Sequence, residues 1–215
     1  FYYELAHRKT EYDDNFYKTA REYGLDLTES CQAIIVEGCE ISSIVKKMKQ
    51  RYSYYSEIDN RGIFFITDDC SYNSLLKELK EINKVKKISI GPKEGLAVRS
   101  VEKAQLALEV GIKIKPSTLI YSYDEFKLFI SLSHEDKEYF TSLISNLEGS
   151  GNKLELIQTM QVYIEENGDI NAIANRLKIH RNTLSYRIER INQLTGKNPK
   201  NLLELFELLC GLIWR

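Results

Sequence analysis

Apolar positions over residues 167–196 recur with a helical period, stop for three residues, and then resume. Ile170, Ile173, Ala174 and Leu177 fall at i, i+3, i+4 and i+7 and make one apolar face. Asp169, after the helix-breaking Gly168, is a good N-cap for that helix. Lys178-Ile179-His180 then form a turn, with Ile179 positioned to plug the gap between two helices. Leu184, Ile188, Ile191 and Leu194 continue a buried stripe along a second helix. Gly196 is placed to end it, with Pro199 just beyond. The small Ala174 suits the point where the two helices cross. The pattern predicts a helix-turn-helix.

Upstream, the pattern alternates between short apolar runs and amphipathic stretches, which predicts an α+β region. Helices are expected over residues 12–23, 41–51, 73–83 and 101–110. Strands are expected over residues 33–37, 54–58, 62–67, 87–91 and 118–121. Asp59-Asn60-Arg61-Gly62 has the residue types of a hairpin turn between two of these strands. The result is a small, antiparallel-rich sheet with helices packed on it. Residues 123–130 and 135–147 read as two further helices, and Glu148-Gly149-Ser150-Gly151-Asn152 reads as a flexible break. The expected division is residues 1–125, a connector over 126–150, and a helix-turn-helix domain over 151–215.

Rotating the second helix of the pair with Leu184 inward puts Asn182, Tyr186, Glu189 and Gln193 on the far side. The N-terminus of such a helix meets base edges in the DNA major groove. Asn182, Thr183 and Tyr186 are therefore candidate base-edge or sugar-phosphate contacts. Arg181, Arg187 and Arg190 are candidate phosphate clamps, any of which can instead fork onto a guanine. Ser185 flanks the stripe, and His180 at the helix start is a candidate cap or phosphate contact. Residues 176–200 hold seven Lys or Arg against one acid, Glu189, a net charge of +6. The whole chain is −1, so the remainder sums to −7. A basic patch on an acidic body is the footprint of a phosphate-binding surface.

Composition changes this picture little. A hydrophobic fraction of 43% and a charged fraction of 28% are ordinary for a globular protein. No apolar run approaches the roughly 18 residues of a membrane helix, and no signal peptide is present, so a cytoplasmic location is expected. Cys31, Cys39, Cys70 and Cys210 lack metal-ligand spacing and read as reduced, mostly buried thiols. No metal site and no cofactor are expected. His7 and His134 are isolated and expected at the surface. The chain opens at Phe1 without an initiator Met, so a fragment lacking an upstream segment is expected.

Ile179-His180-Arg181-Asn182-Thr183-Leu184-Ser185-Tyr186-Arg187-Ile188 and Leu194-Thr195-Gly196 resemble the C-terminal helix-turn-helix of the purine catabolism and carbohydrate diacid regulators, the PucR/CdaR family. The helix ahead of it, from Leu156 to Asp169 with Gln158 and Tyr163, fits the same family, as does a last helix at about residues 202–212. More loosely the module is similar to the wingless helix-turn-helix of Fis-type proteins. Upstream, Arg21-Glu22-Tyr23-Gly24-Leu25-Asp26-Leu27-Thr28 and the stretch from Ile90-Gly91-Pro92 to Leu108 resemble the degenerate GGDEF-like domain of CdaR-type regulators. The resemblance implies a ferredoxin-like sheet with packed helices followed by an all-α DNA-binding domain. It also implies a bacterial transcriptional regulator, a homodimer on double-stranded DNA, and a small-molecule effector sensed here or by an upstream domain.

Catalysis is not expected. A diguanylate cyclase needs a Gly-Gly-Asp-Glu-type hairpin in which backbone approaches a nucleotide and carboxylates hold Mg²⁺. Here the hairpin reads Ser56-Glu57-Ile58-Asp59-Asn60-Arg61-Gly62-Ile63, with one glycine. Glu37 and Glu40 follow the first strand without the expected Asp pair and downstream Lys. Asp68-Asp69 reads as a helix cap. The competing readings are a nucleotide-binding signalling module, a degenerate cyclase with an appended helical domain, and an adaptor whose helix-turn-helix no longer meets DNA.

Overall fold

The computed structural model describes residues 1–28, 30–41, 44, 48, 51–58, 60–132 and 137–214. The helix expected over 41–51 lies largely outside the described residues, as do Asp59 of the expected turn and His134. The chain divides into two compact units, Phe1–Glu109 with Thr118–Lys127, and Val110–Ser117 with Leu128–Arg215.

The first unit holds α1 (Tyr2–His7), α2 (Asp14–Glu22), β1 (Gln32–Gly38), β2 (Ser53–Ile58), β3 (Arg61–Ile66), α3 (Asp69–Lys80), β4 (Val85–Ile90), most of α4 (Ala97–Ile114) and β5 (Ile120–Ser122). The sheet order is β2-β3-β1-β4-β5. β1 pairs antiparallel with β3, Ile34 opposite Phe64, and with β4, Ile34 opposite Ile90. β2 and β3 pair antiparallel, while β4 and β5 run parallel.

β1 reads as an unbroken apolar run because both faces of the sheet are covered. Ala33 and Ile35 pack with Ile63, Phe65, Phe16, Ala20, Val101 and Ala104. Ile34 and Val36 pack on the other face with Phe64, Ile88, Leu75 and Leu79. The helices start where side chains satisfy their free N–H groups. Asp13 accepts the Phe16 N–H at 2.8 Å and Asp68 the Ser71 N–H at 2.8 Å. Asp68 is thus the expected cap, but its helix begins at Asp69 rather than Asn73. α4 begins earlier than expected because the Tyr12 hydroxyl accepts the Ala97 N–H at 2.8 Å. Inside it, the buried Ser100 hydroxyl accepts the Ala33 N–H at 2.8 Å and donates to the Pro92 carbonyl at 2.6 Å. Gly91 lies so close to the Ser100 carbonyl that any Cβ would collide with it.

The second unit is helical. It contains the second half of α5 (Tyr123–Leu132), then α6 (Lys137–Glu148), α7 (Lys153–Glu165), α8 (Ile170–Leu177), α9 (Arg181–Thr195) and α10 (Leu202–Trp214). Ile144 and Leu147 of α6 share one core with Leu156, Ile157, Met160, Ile191, Leu208 and Leu212. α6 and α10 approach closely at Gly211, where a Cβ would stand 2.7 Å from the Phe140 carbonyl oxygen. The thiols divide evenly, correcting the expectation of mostly buried ones. Cys31 and Cys210 are buried, while Cys39 and Cys70 are exposed.

Candidate nucleic-acid interface

α8 and α9 form the pair that the apolar pattern predicts. Just past the end of α7, Asn167 and Gly168 both have positive φ, 51° and 78°. Asp169 then caps α8, its carboxylate accepting the Asn171 and Ala172 N–H groups at 2.8 and 3.1 Å. Lys178 adopts the left-handed region at φ 54°, which turns the chain in three residues. The Ile179 N–H closes the turn on the Ala174 carbonyl at 3.0 Å. Ile173, Ala174, Leu184 and Ile188 are buried against Val162 and Tyr163 of α7, and Ile179 packs against the same cluster. Gly196, at φ 70°, ends α9 in the left-handed conformation that glycine adopts without a Cβ penalty.

His180 is the N-cap of α9. Its Nδ1 accepts the Asn182 N–H at 3.2 Å. That bond requires a lone pair on Nδ1, so in the neutral ring the proton sits on Nε2. Beyond the cap, Arg181, Asn182, Thr183, Ser185 and Glu189 are exposed. Tyr186 is 63% exposed, a large aromatic left in solvent. Asn182, Thr183 and Tyr186 share one face by helical spacing, opposite buried Leu184 and Ile188.

The arginines do not all behave as expected. Arg187 does not join that face. Its side chain is 14% exposed, and its guanidinium donates to Glu155 Oε2 at 2.8 Å and to Thr159 Oγ1 at 3.5 Å, both on α7. It therefore binds the scaffold helix rather than facing outward as a phosphate clamp. Arg176 is divided between Glu165 and Glu166, and these carboxylates raise its pKa further. Lys197 pairs with Glu207 at 2.7 Å, which raises the lysine pKa and lowers that of the glutamate. Three of the seven cations are thus neutralised by acids outside the basic segment. Arg190 donates to the neutral Gln193 at 3.3 Å, and among the described residues Arg190, Lys178, Arg181 and Lys200 make no ion pair. The outward charge of the segment falls from +6 to about +3, counting Glu189.

The first unit shows how Glu37, near the end of β1, is used. Glu37 accepts from Arg61 Nε at 2.9 Å, and the same guanidinium reaches it a second time through Nη2. Arg61 opens β3, at the hairpin where a cyclase would hold Mg²⁺ between carboxylates. The Glu37 charge is already balanced by a guanidinium. Among the described residues no group of three His, Cys, Asp or Glu side chains is arranged to hold a metal ion. His7 is exposed, its Nδ1 2.8 Å from the Tyr3 carbonyl. No described helix is long and apolar enough to cross a membrane.

Sequence comparison bears on α7 to α10 of the second unit. The profile of the PucR C-terminal helix-turn-helix domain matches residues 156–214. The chain is similar to the purine catabolism regulatory protein of Bacillus subtilis, at 34% identity over 100 residues, 44% of this chain and 19% of that protein. It is 25% identical over 152 residues to the DNA-binding transcriptional activator AdeR of the same organism, covering 65% of this chain and 36% of AdeR. It is 28% identical over 146 residues to the carbohydrate diacid regulator of Escherichia coli, covering 64% of this chain and 38% of that protein. These matches span from about a fifth to two fifths of the relatives' length.

Proposed function

We propose that this chain, whose C-terminal helices are a helix-turn-helix domain of the PucR type, is the regulatory and DNA-binding part of a bacterial transcriptional regulator. The observation that carries the reading is the outward face of α9. It offers Asn182, Thr183, Ser185 and Tyr186 to solvent at the N-terminal half of a capped helix. Arg181, Arg190, Lys178 and Lys200 supply the cations around it. Hydrogen-bonding side chains on the helix with cations at its margin are what base reading and phosphate anchoring need. His180 is a phosphate contact through its Nε2–H, which the cap leaves pointing away from the Asn182 N–H.

In this proposal the DNA-reading module is residues 151–215, with α6 filling part of its core. The first unit is a degenerate GGDEF-like domain that senses or relays a small-molecule signal without catalysis. Its strand order β2-β3-β1-β4, antiparallel throughout, supports a ferredoxin-like sheet. The ion pair of Glu37 with Arg61 speaks against a magnesium nucleotide at the hairpin and so against the signalling-module alternative. The protein works in the cytoplasm as a homodimer on two half-sites near one helical turn apart, or a multiple of it.

The test is selection of bound fragments from genomic DNA by the chain at moderate salt. An enriched inverted repeat supports the proposal. A pool that stays unenriched from low to moderate salt contradicts it.

A further inference from the structure

Glu165, the last residue of α7, has a side chain only 7% exposed, and its two oxygens are divided between two segments of the second unit. Oε1 accepts the Ser117 backbone N–H at 3.0 Å. Oε2 receives one arm of the Arg176 guanidinium, whose other arm reaches Glu166 Oε1 at 2.5 Å. Arg176 stands in the last turn of α8. Ser117 closes the stretch Val110–Ser117 that runs out of α4. That stretch is tied to the bundle twice more. Gln161 Nε2 donates to the Lys113 carbonyl at 2.9 Å, and Lys113 Nζ donates to the Ile213 carbonyl at 2.5 Å.

A carboxylate with so little access to water depends on both partners. If Ser117 moves away, one oxygen loses its donor, and the carboxylate must turn or admit water to recover one. Either change weakens its hold on Arg176. α8 in turn carries α9, through the shared cluster of Ile173, Ala174, Leu184 and Ile188 and the Ile179 to Ala174 hydrogen bond. We propose that Glu165 is a positioning residue through which the stretch 110–117 controls how the helix-turn-helix is held. DNA affinity is then coupled to the state of the C-terminal turn of α4. This rests on the DNA-binding reading above. It gives that reading a regulatory input, because the earlier residues of α4 belong to the first unit.

The experiment uses the full chain and reads hydrogen exchange by residue together with affinity for the selected DNA. Gln161→Ala loosens residues 113–117 without touching the Arg176 pairs. It is expected to raise exchange in 113–117 and also in α8, and to weaken DNA binding about fivefold. In a Glu165→Gln background the same substitution is expected to leave α8 exchange unchanged, because the connection is already cut. Glu166→Gln, which removes a partner of Arg176 but not of Ser117, should loosen α8 while Ser117 stays protected. If Glu165→Gln unfolds, Arg176→Lys replaces it, keeping the charge but losing the fork. The proposal is overturned if Gln161→Ala leaves α8 exchange unchanged, or if its effect on α8 survives in the Glu165→Gln background. A wild-type chain that binds no DNA refutes the functional reading instead, and the exchange data still decide the coupling.

Discussion

Arg187 Nη2 lies 2.8 Å from Glu155 Oε2, so this arginine of α9 grips α7 instead of facing solvent. The pair joins the helix with the exposed hydrogen-bonding face to the helix it packs on. Glu155 is 56% exposed, so solvent screens much of the charge attraction. The packed stem of Arg187 adds to it. Arg187→Ala is expected to cost about 1–2 kcal/mol of stability, read as a lower denaturant midpoint at unchanged slope.

Salt dependence separates outward from inward cations. Four cations remain for phosphate: Lys178, Arg181, Arg190 and Lys200. One module should therefore show a log–log slope of affinity against salt of about −3 to −4, against about −6 if all seven cations reached phosphate. Arg181→Ala should reduce the slope by about one. Arg176→Gln should leave it unchanged. A salt titration with each variant on one DNA site decides this.

Much of this module was legible because its signals are local. Asp169, Lys178-Ile179-His180 and Gly196 carry caps and turns within a few residues of one another, and Ile170 to Leu177 declare their face by spacing. The destinations of the arginines were not legible. Arg187 finds its acid 32 residues upstream and Arg176 finds its acids 10 and 11 residues upstream. No period or cap encodes such tertiary pairings. The bias of residues 176–200 toward positive charge therefore overstated the exposed patch. In the first unit β1 announced itself as a continuous apolar run. α1 did not, being six residues long with no side-chain cap at Phe1. The extension of α4 back to Ala97 depended on the hydroxyl of Tyr12, 85 residues away.

Gly211 marks the closest approach of α10 to α6. Gly211→Ala would set a methyl 2.7 Å from the Phe140 carbonyl oxygen and nearer still to Ile144, and backbone yields little. The expected cost is about 1–3 kcal/mol from overpacking. Gly151→Ala, with nothing within 4 Å of the new Cβ, serves as the neutral control. Thermal melts of the two variants make the comparison.

The cysteines should divide under a thiol reagent. Burial pushes the Cys31 thiol up to about 12 and the Cys210 thiol up to about 11. Because burial raises the folded pKa, the reactive thiolate is scarce at pH 8 at both sites. Cys39 and Cys70 are exposed. Native protein at pH 8 should therefore be alkylated quickly at Cys39 and Cys70 and slowly at Cys31 and Cys210. Denaturant should make all four equivalent. Peptide mass mapping over time reads the outcome.

The most direct test compares Asn182→Ala with Arg187→Ala on the selected DNA site and on its single-base variants. Asn182→Ala is predicted to lose about 1–3 kcal/mol on the cognate site, to relax discrimination at one base position, and to leave stability unchanged. Arg187→Ala is predicted to weaken every sequence alike and to lower stability. Discrimination lost with Arg187→Ala at intact stability, together with no change from Asn182→Ala, would contradict the account.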